Sequence, residues 1–183
     1  MRSCSGPGSA ARPDRFGRSG YVRPVDDLEV LTWPLYAEAA KALAQQVVDD
    51  GFQPDLILAI ARGGLIIAGS LSYALRVKNL HVMNVEYYTG VNERLDFPVI
   101  LPPPLNLVDL AAARILVADD VADTGHTLAL VRDFCEPQVA EVRCAVLYQK
   151  PASVVSCEYV WRHTDRWIDF PWSTGDAVVV PSA

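Results

Sequence analysis

Nothing in these 183 residues is long and apolar enough to cross a bilayer as a helix, which takes ~20 consecutive apolar positions. Apolar runs such as 56–61 and 115–118 are strand-sized and bounded by charge or glycine. An excess of positive charge is missing too: 22 acidic residues outnumber 16 Lys and Arg, for a formal charge of −6. Broad binding to nucleic acid or to anionic membranes needs clustered cations, so neither partner is expected. The four cysteines (Cys4, Cys135, Cys144 and Cys157) form no C-x-x-C pair and no metal-like spacing with histidine. They read as reduced thiols of a cytoplasmic protein. Residues 1–27 are rich in Ser, Gly, Pro and Arg and lack the apolar centre of a secretory signal. They read as a disordered tail or as an extension upstream of the true start, ahead of one domain over 28–183. There is no internal repeat, no Walker motif and no Rossmann fingerprint.

What is present alternates between two periods. Thr32-Trp33-Pro34 has the form of a helix start, with Thr32 as cap and Pro34 in the first turn. Leu35, Tyr36, Ala39, Ala40, Leu43, Ala44, Val47 and Val48 then recur at helical spacing until Gly51 ends the stripe. Residues 55–61 are continuously apolar after Asp55, as in a strand buried on both faces. Arg62-Gly63-Gly64 turns the chain into a second helix over 65–75. Further strands are expected over 80–87, 114–118 and 142–148, with a helix around 128–135. Residues 88–106, with Gly90 and the run Pro102-Pro103-Pro104, read as a long irregular loop. Strands alternating with helices give an α/β fold, a parallel twisted sheet with helices on both faces. Ligands of such sheets sit beyond the carboxyl ends of the strands. The polar turns at 62–64, 119–127 and Lys150 each follow a strand and should meet on one edge.

The segment 115–128 carries the most chemistry. Thr124, Gly125 and Thr127 stand at a turn entering a helix, where amides, the helix dipole and two hydroxyls can hold a phosphate dianion. The acids Asp119 and Asp120 just before would repel that phosphate. One substrate satisfies both halves: a sugar phosphate with its phosphate at the turn and its ribose hydroxyls at the acids, joined there by Mg²⁺.

The whole pattern, D-D-x-x-D-T-G-x-T after an apolar strand, resembles the signature of type I phosphoribosyltransferases, in the form of their 6-oxopurine branch. The resemblance implies the type I phosphoribosyltransferase fold, with a small hood built from the two ends of the chain over the base site. It assigns Asp119 and Asp120 to the ribose of phosphoribosyl pyrophosphate (PRPP) and to Mg²⁺, with Asp120 and PRPP oxygens on the metal and Asp169 as a further candidate. It makes 123–127 (Asp123, Thr124, Gly125, His126 and Thr127) the 5′-phosphate loop, and Asp123 the general acid/base near the purine's imidazole nitrogen. His126 departs from the usual Gly or Lys.

Arg62, Gly63 and Gly64 resemble the family's pyrophosphate loop, which implies a cis peptide between Ala61 and Arg62. Lys150 matches the lysine that reads the purine's exocyclic oxygen. Residues 167–172 resemble the hood of the xanthine-guanine enzymes: Trp167 stacks on the base, Ile168 lies beside it, and Asp169 is an acid near base and metal. Phe170 and Trp172 are assigned to packing. Tyr87 and Tyr88 open the region matching the mobile catalytic loop, with Tyr-Tyr in place of Ser-Tyr. The implied activity is transfer of phosphoribose to hypoxanthine, guanine or xanthine by a homodimer or homotetramer. Two alternatives stay open: a transferase for another or modified base, and a non-catalytic regulator that senses PRPP or nucleotides.

Overall fold

The computed structural model describes residues 28–90, 93–100 and 111–175, with the backbone alone over 87–90 and 93–99. The tail 1–27, Cys4 and the Pro102-Pro103-Pro104 run lie outside the described residues.

Strand β1 (Leu28–Val30) leads into helix α1 (Trp33–Asp49). Thr32 caps α1 by accepting from the Leu35 amide at 3.4 Å, and Pro34 occupies the first turn, where a missing N–H costs no helical bond. Past the helix, Gly51 takes a left-handed φ of 72° and turns the chain toward β2 (Leu56–Ala61). Helix α2 (Gly64–Ala74) and strand β3 (Leu80–Gly90) follow.

Next comes β4 (Glu93–Ile100), antiparallel to β3, with Val85 opposite Ile100 and Gly90 opposite Glu93. This corrects the reading of 88–106 as irregular over 88–90 and 93–100; residues 101–106 lie outside the described residues. Leu95, Phe97 and Val99 alternate with polar residues or proline at strand period, and Pro98 is tolerated because β4 is the edge of its sheet. Strand β5 (Arg114–Ala122), helix α3 (His126–Cys135), a 3₁₀ turn (Glu136–Gln138), β6 (Glu141–Gln149), β7 (Tyr159–His163) and β8 (Trp167–Asp169) complete the order.

The main sheet runs β4-β3-β2-β5-β6-β7, parallel from β3 to β7. Alternate residues of its central strands enter two separate cores. Ile57, Ala59, Leu116, Ala118, Ala145 and Leu147 meet α1 and α2 on one face. Leu58, Ile60, Val117, Cys144 and Val146 meet α3 on the other. Burial on both faces explains why these strands read as unbroken apolar runs. Cys135, Cys144 and Cys157 are free and buried. Strands β1 and β8 pair in parallel, Leu28 with Trp167 and Val30 with Asp169, as a two-stranded hood joining the two ends of the described chain. Among the described residues no helix is long and apolar enough to cross a membrane.

Candidate active site

The carboxyl ends of β2, β5 and β6 lie side by side in the sheet, and each releases a polar turn. At the end of β5 the chain enters α3 through Gly125, in the left-handed region at φ 78°. A Cβ there would run into the Ser153 hydroxyl and come within 3.0 Å of the Val154 and Val155 amides. Glycine is therefore required twice over, by backbone angle and by neighbours. The first bond of α3 runs from the Ala129 amide to the Gly125 carbonyl at 2.9 Å. The amides of 126–128 thus have no partner within the helix and are available to an anion. A cavity of about 250 Å³ opens beside them, lined by Asp119, Asp123, Thr124, Gly125 and Thr127 among others. His126 is exposed at the helix start.

Asp119 and Asp120 are successive residues of β5, with Asp119 on the wall of this cavity and Asp120 against Gly63. Asp119 accepts from the Asp120 amide at 2.9 Å. Burial, and then the charge of Asp120, hold the Asp119 carboxyl well above the usual carboxylate range. Burial also raises Asp120. Two recessed acids that resist double ionisation suit a cation or hydroxyl donors between them.

Among the described residues no group of three or more His, Cys, Asp and Glu side chains converges to hold a metal alone. A pair of carboxylates is the donor set expected for Mg²⁺, which keeps most of its octahedron for water and phosphate oxygens. The residues present fit such an ion. Asp169 has its own partner, since its Oδ1 accepts from the Thr174 hydroxyl at 3.0 Å.

The turn after β2 closes on the same acids. The Ala61–Arg62 peptide is cis, as the resemblance implies. A Cβ on Gly63 would overlap the Asp120 carboxylate, and one on Gly64 would overlap the Ala118 carbonyl. The two glycines therefore let this loop press against β5, while Arg62 is exposed at its tip. A plain turn would not need both.

On the other side, the Lys150 amide bonds the Ala122 carbonyl at 2.9 Å, which fixes the end of β6 to the end of β5. Its Nζ lies 3.2 Å from Asp123 Oδ1 and 5.6 Å from the centre of the Trp167 ring. Trp167 is half exposed. Lysine, carboxylate and half-exposed aromatic ring thus meet within reach of one flat heterocycle. Ile168, next along β8, turns the other way into the core. Phe170 is buried and stacks on Trp172 at 4.9 Å, as expected of packing residues. The backbone of Tyr87 and Tyr88 extends β3, with Tyr88 opposite Arg94, and their side chains lie outside the described residues.

Two contributions were not visible in the sequence. Trp172 packs against Tyr36 and Trp33 from α1, and the loop after β6 braces the turn into α3 through a 2.9 Å bond from the Val154 amide to the Thr124 carbonyl. The only sequence signal for that brace is the glycine at 125, whose crowding needs a neighbour. A larger hollow of about 560 Å³ lies at the opposite edge of the sheet, beside Phe52 and Arg76, away from all these groups.

Comparison with known proteins matches residues 27–178 to the phosphoribosyl transferase domain. A xanthine-guanine phosphoribosyltransferase of Nitratidesulfovibrio vulgaris is 31% identical over 153 residues, covering 82% of this chain and 88% of that protein. One from Chromohalobacter salexigens is also 31% identical, covering 82% and 87%. The crystal structure of a purine phosphoribosyltransferase from Pyrococcus horikoshii superposes with a TM-score of 0.70 at 35% identity, covering 84% of this chain and 99% of that one.

Proposed function

The chain belongs to the phosphoribosyl transferase domain family, and from that premise we propose that it transfers the 5-phosphoribosyl group of PRPP to a 6-oxopurine, giving the nucleoside 5′-monophosphate and pyrophosphate. The observation that carries the choice of base is the meeting of Lys150, Asp123 and Trp167 beside the phosphate turn. Trp167 offers its face to the purine ring. The Lys150 ammonium donates to the oxygen at ring position 6, where adenine carries a donor instead. Asp123 accepts the proton that leaves the imidazole nitrogen as that nitrogen bonds to C1′ of the ribose. The bond from C1′ to the pyrophosphate oxygen breaks and the electron pair leaves with pyrophosphate.

The 124–127 turn holds the 5′-phosphate throughout, so binding energy remote from the reacting carbon fixes its orientation. Arg62 and the amides of the Gly63-Gly64 loop receive the leaving group. Asp120 and Asp119 would hold Mg²⁺ together with PRPP oxygens, and the ion would supply charge neutralisation for the pyrophosphate. Dependence on Mg²⁺ and a homo-oligomeric state belong to the same proposal.

Pyrophosphate release should be measured with PRPP, Mg²⁺ and, in turn, hypoxanthine, guanine, xanthine and adenine. Turnover of one or more of the first three, abolished by EDTA and restored by Mg²⁺, is expected. Turnover of adenine alone would overturn the role given to Lys150.

A further inference from the structure

The hood is a ribbon of two strands, each of three residues. A ribbon that small has little stability of its own, so its seat on the main sheet decides where Trp167 lies. Part of that seat is apolar: Leu31, Ile168 and Phe170 enter the core shared with α1 and α2. The other part is ionic. Glu29 lies opposite Ile168 in the register, and its side chain, only 20% exposed, accepts from Arg162 Nη1 at 3.1 Å. A carboxylate is seldom sheltered to that degree without a partner. Among the described residues this is the one ion pair between the hood and the main sheet.

Arg162 is itself held from the sheet side. Its guanidinium lies 4.1 Å from the centre of the Trp161 ring, and Trp161 meets Tyr148 edge-on at 5.4 Å. Tyr148 is fully buried on β6, opposite Arg162 in the register, and meets Phe170 edge-on at 6.0 Å. Lys150 follows two residues later. The pair therefore couples the ribbon that carries Trp167 to the strand that leads into Lys150, whose Nζ is 5.6 Å from the Trp167 ring. Apolar contact has no preferred direction, whereas a hydrogen-bonded ion pair does.

We propose that Glu29 and Arg162 are positioning residues, a polar latch that holds Trp167 in place beside Lys150 and so governs affinity for the purine. This rests on the phosphoribosyl-transfer reading above. Among the described residues neither side chain bonds to the turns at 62–64 and 119–127. The latch acts on the base and not on PRPP.

The test is steady-state kinetics with hypoxanthine, guanine and xanthine, beside PRPP binding by calorimetry with Mg²⁺, for the wild type, Glu29→Gln, Arg162→Met and the double variant. Both substitutions keep most of the side chain and delete its charge. Each should raise the KM for whichever purine is turned over about threefold to tenfold, the scale of a charged hydrogen bond partly open to water. PRPP affinity should stay within about twofold, and the double variant within about twofold of the worse single one, as expected when both act through one interaction. Arg162→Lys keeps the charge without the flat group over Trp161 and should fall between the wild type and Arg162→Met. Should Glu29→Gln not fold, the two Arg162 variants read the same contact. Asp55→Asn breaks a 3.2 Å ion pair at the amino end of β2 and should leave the purine KM unchanged.

A purine KM unmoved by loss of the Arg162 charge, losses that add in the double variant, or a matching loss of PRPP affinity would overturn the proposal while phosphoribosyl transfer stood. So would an equal rise in KM from Asp55→Asn. A wild type that neither binds PRPP nor turns over any purine would overturn both.

Discussion

Asp123 follows β5 at the start of the turn into α3, 3.2 Å from Lys150. In the proposed reaction a 6-oxopurine would offer Lys150 a new acceptor and so release the carboxylate toward the imidazole proton. Asp123→Ala should therefore lower kcat by about 10²- to 10⁴-fold, the usual range for a lost general base. PRPP affinity should stay within a few-fold; single-turnover kinetics beside calorimetry separate the two. Retained turnover would place the base elsewhere.

The acids and hydroxyls of 119–127 were legible because they occupy one contiguous segment whose spacing is itself the signal. Lys150 was legible only by its place after a strand. The brace from the Val154 amide to the Thr124 carbonyl was not legible at all, because the two lie in separate loops that only the pairing of β5 with β6 brings together.

Among the elements, the turns into and out of helices separate two uses of glycine. Gly51 and Gly125 have nearly the same left-handed φ, 72° and 78°, but nothing lies within 4 Å of a Cβ at Gly51, while Ser153, Val154 and Val155 crowd one at Gly125. Gly51→Ala should cost about 1 kcal/mol, the conformational term alone. Gly125→Ala should cost clearly more and raise the KM for PRPP as well. Urea denaturation with matched kinetics checks both, and equal costs would show that the loop after β6 gives way easily.

Helix α1 was readable from its cap and stripe, and β2, β5 and β6 from their apolar runs, because both faces of the central strands are buried. Strand β4 was hidden by Pro98 and the nearby proline run, which outweighed the alternation of Leu95, Phe97 and Val99. An edge strand needs fewer of its amides than a central one, so proline there is weaker evidence against a strand than it looks.

At the scale of the whole molecule, three buried phenols report on the integrity of the fold. Burial pushes Tyr148 and Tyr159 up to about 12 and raises Tyr36 as well. An unfolded chain ionises tyrosine near its ordinary value, about 10. Above that pH the unfolded state sheds protons that the folded state keeps. The contribution of these groups is thus complete below about pH 10 and fades as pH climbs toward 12. The urea midpoint should fall across that window, with tyrosinate absorbance from these three rings appearing only as the protein unfolds. Early, fully reversible ionisation of all tyrosines in the folded state would contradict the packing described here.

The backbone bonds from Lys150 to Ala122 and from Val154 to Thr124 have a practical meaning for anyone redesigning this molecule. Under the proposed activity the strip that reads the nucleobase would also buttress the cradle for the sugar phosphate, gearing the two specificities together. Transplanting 150–155 from a relative with a different base preference should carry 122–127 along with it, or the donor substrate will be lost in exchange for the new acceptor.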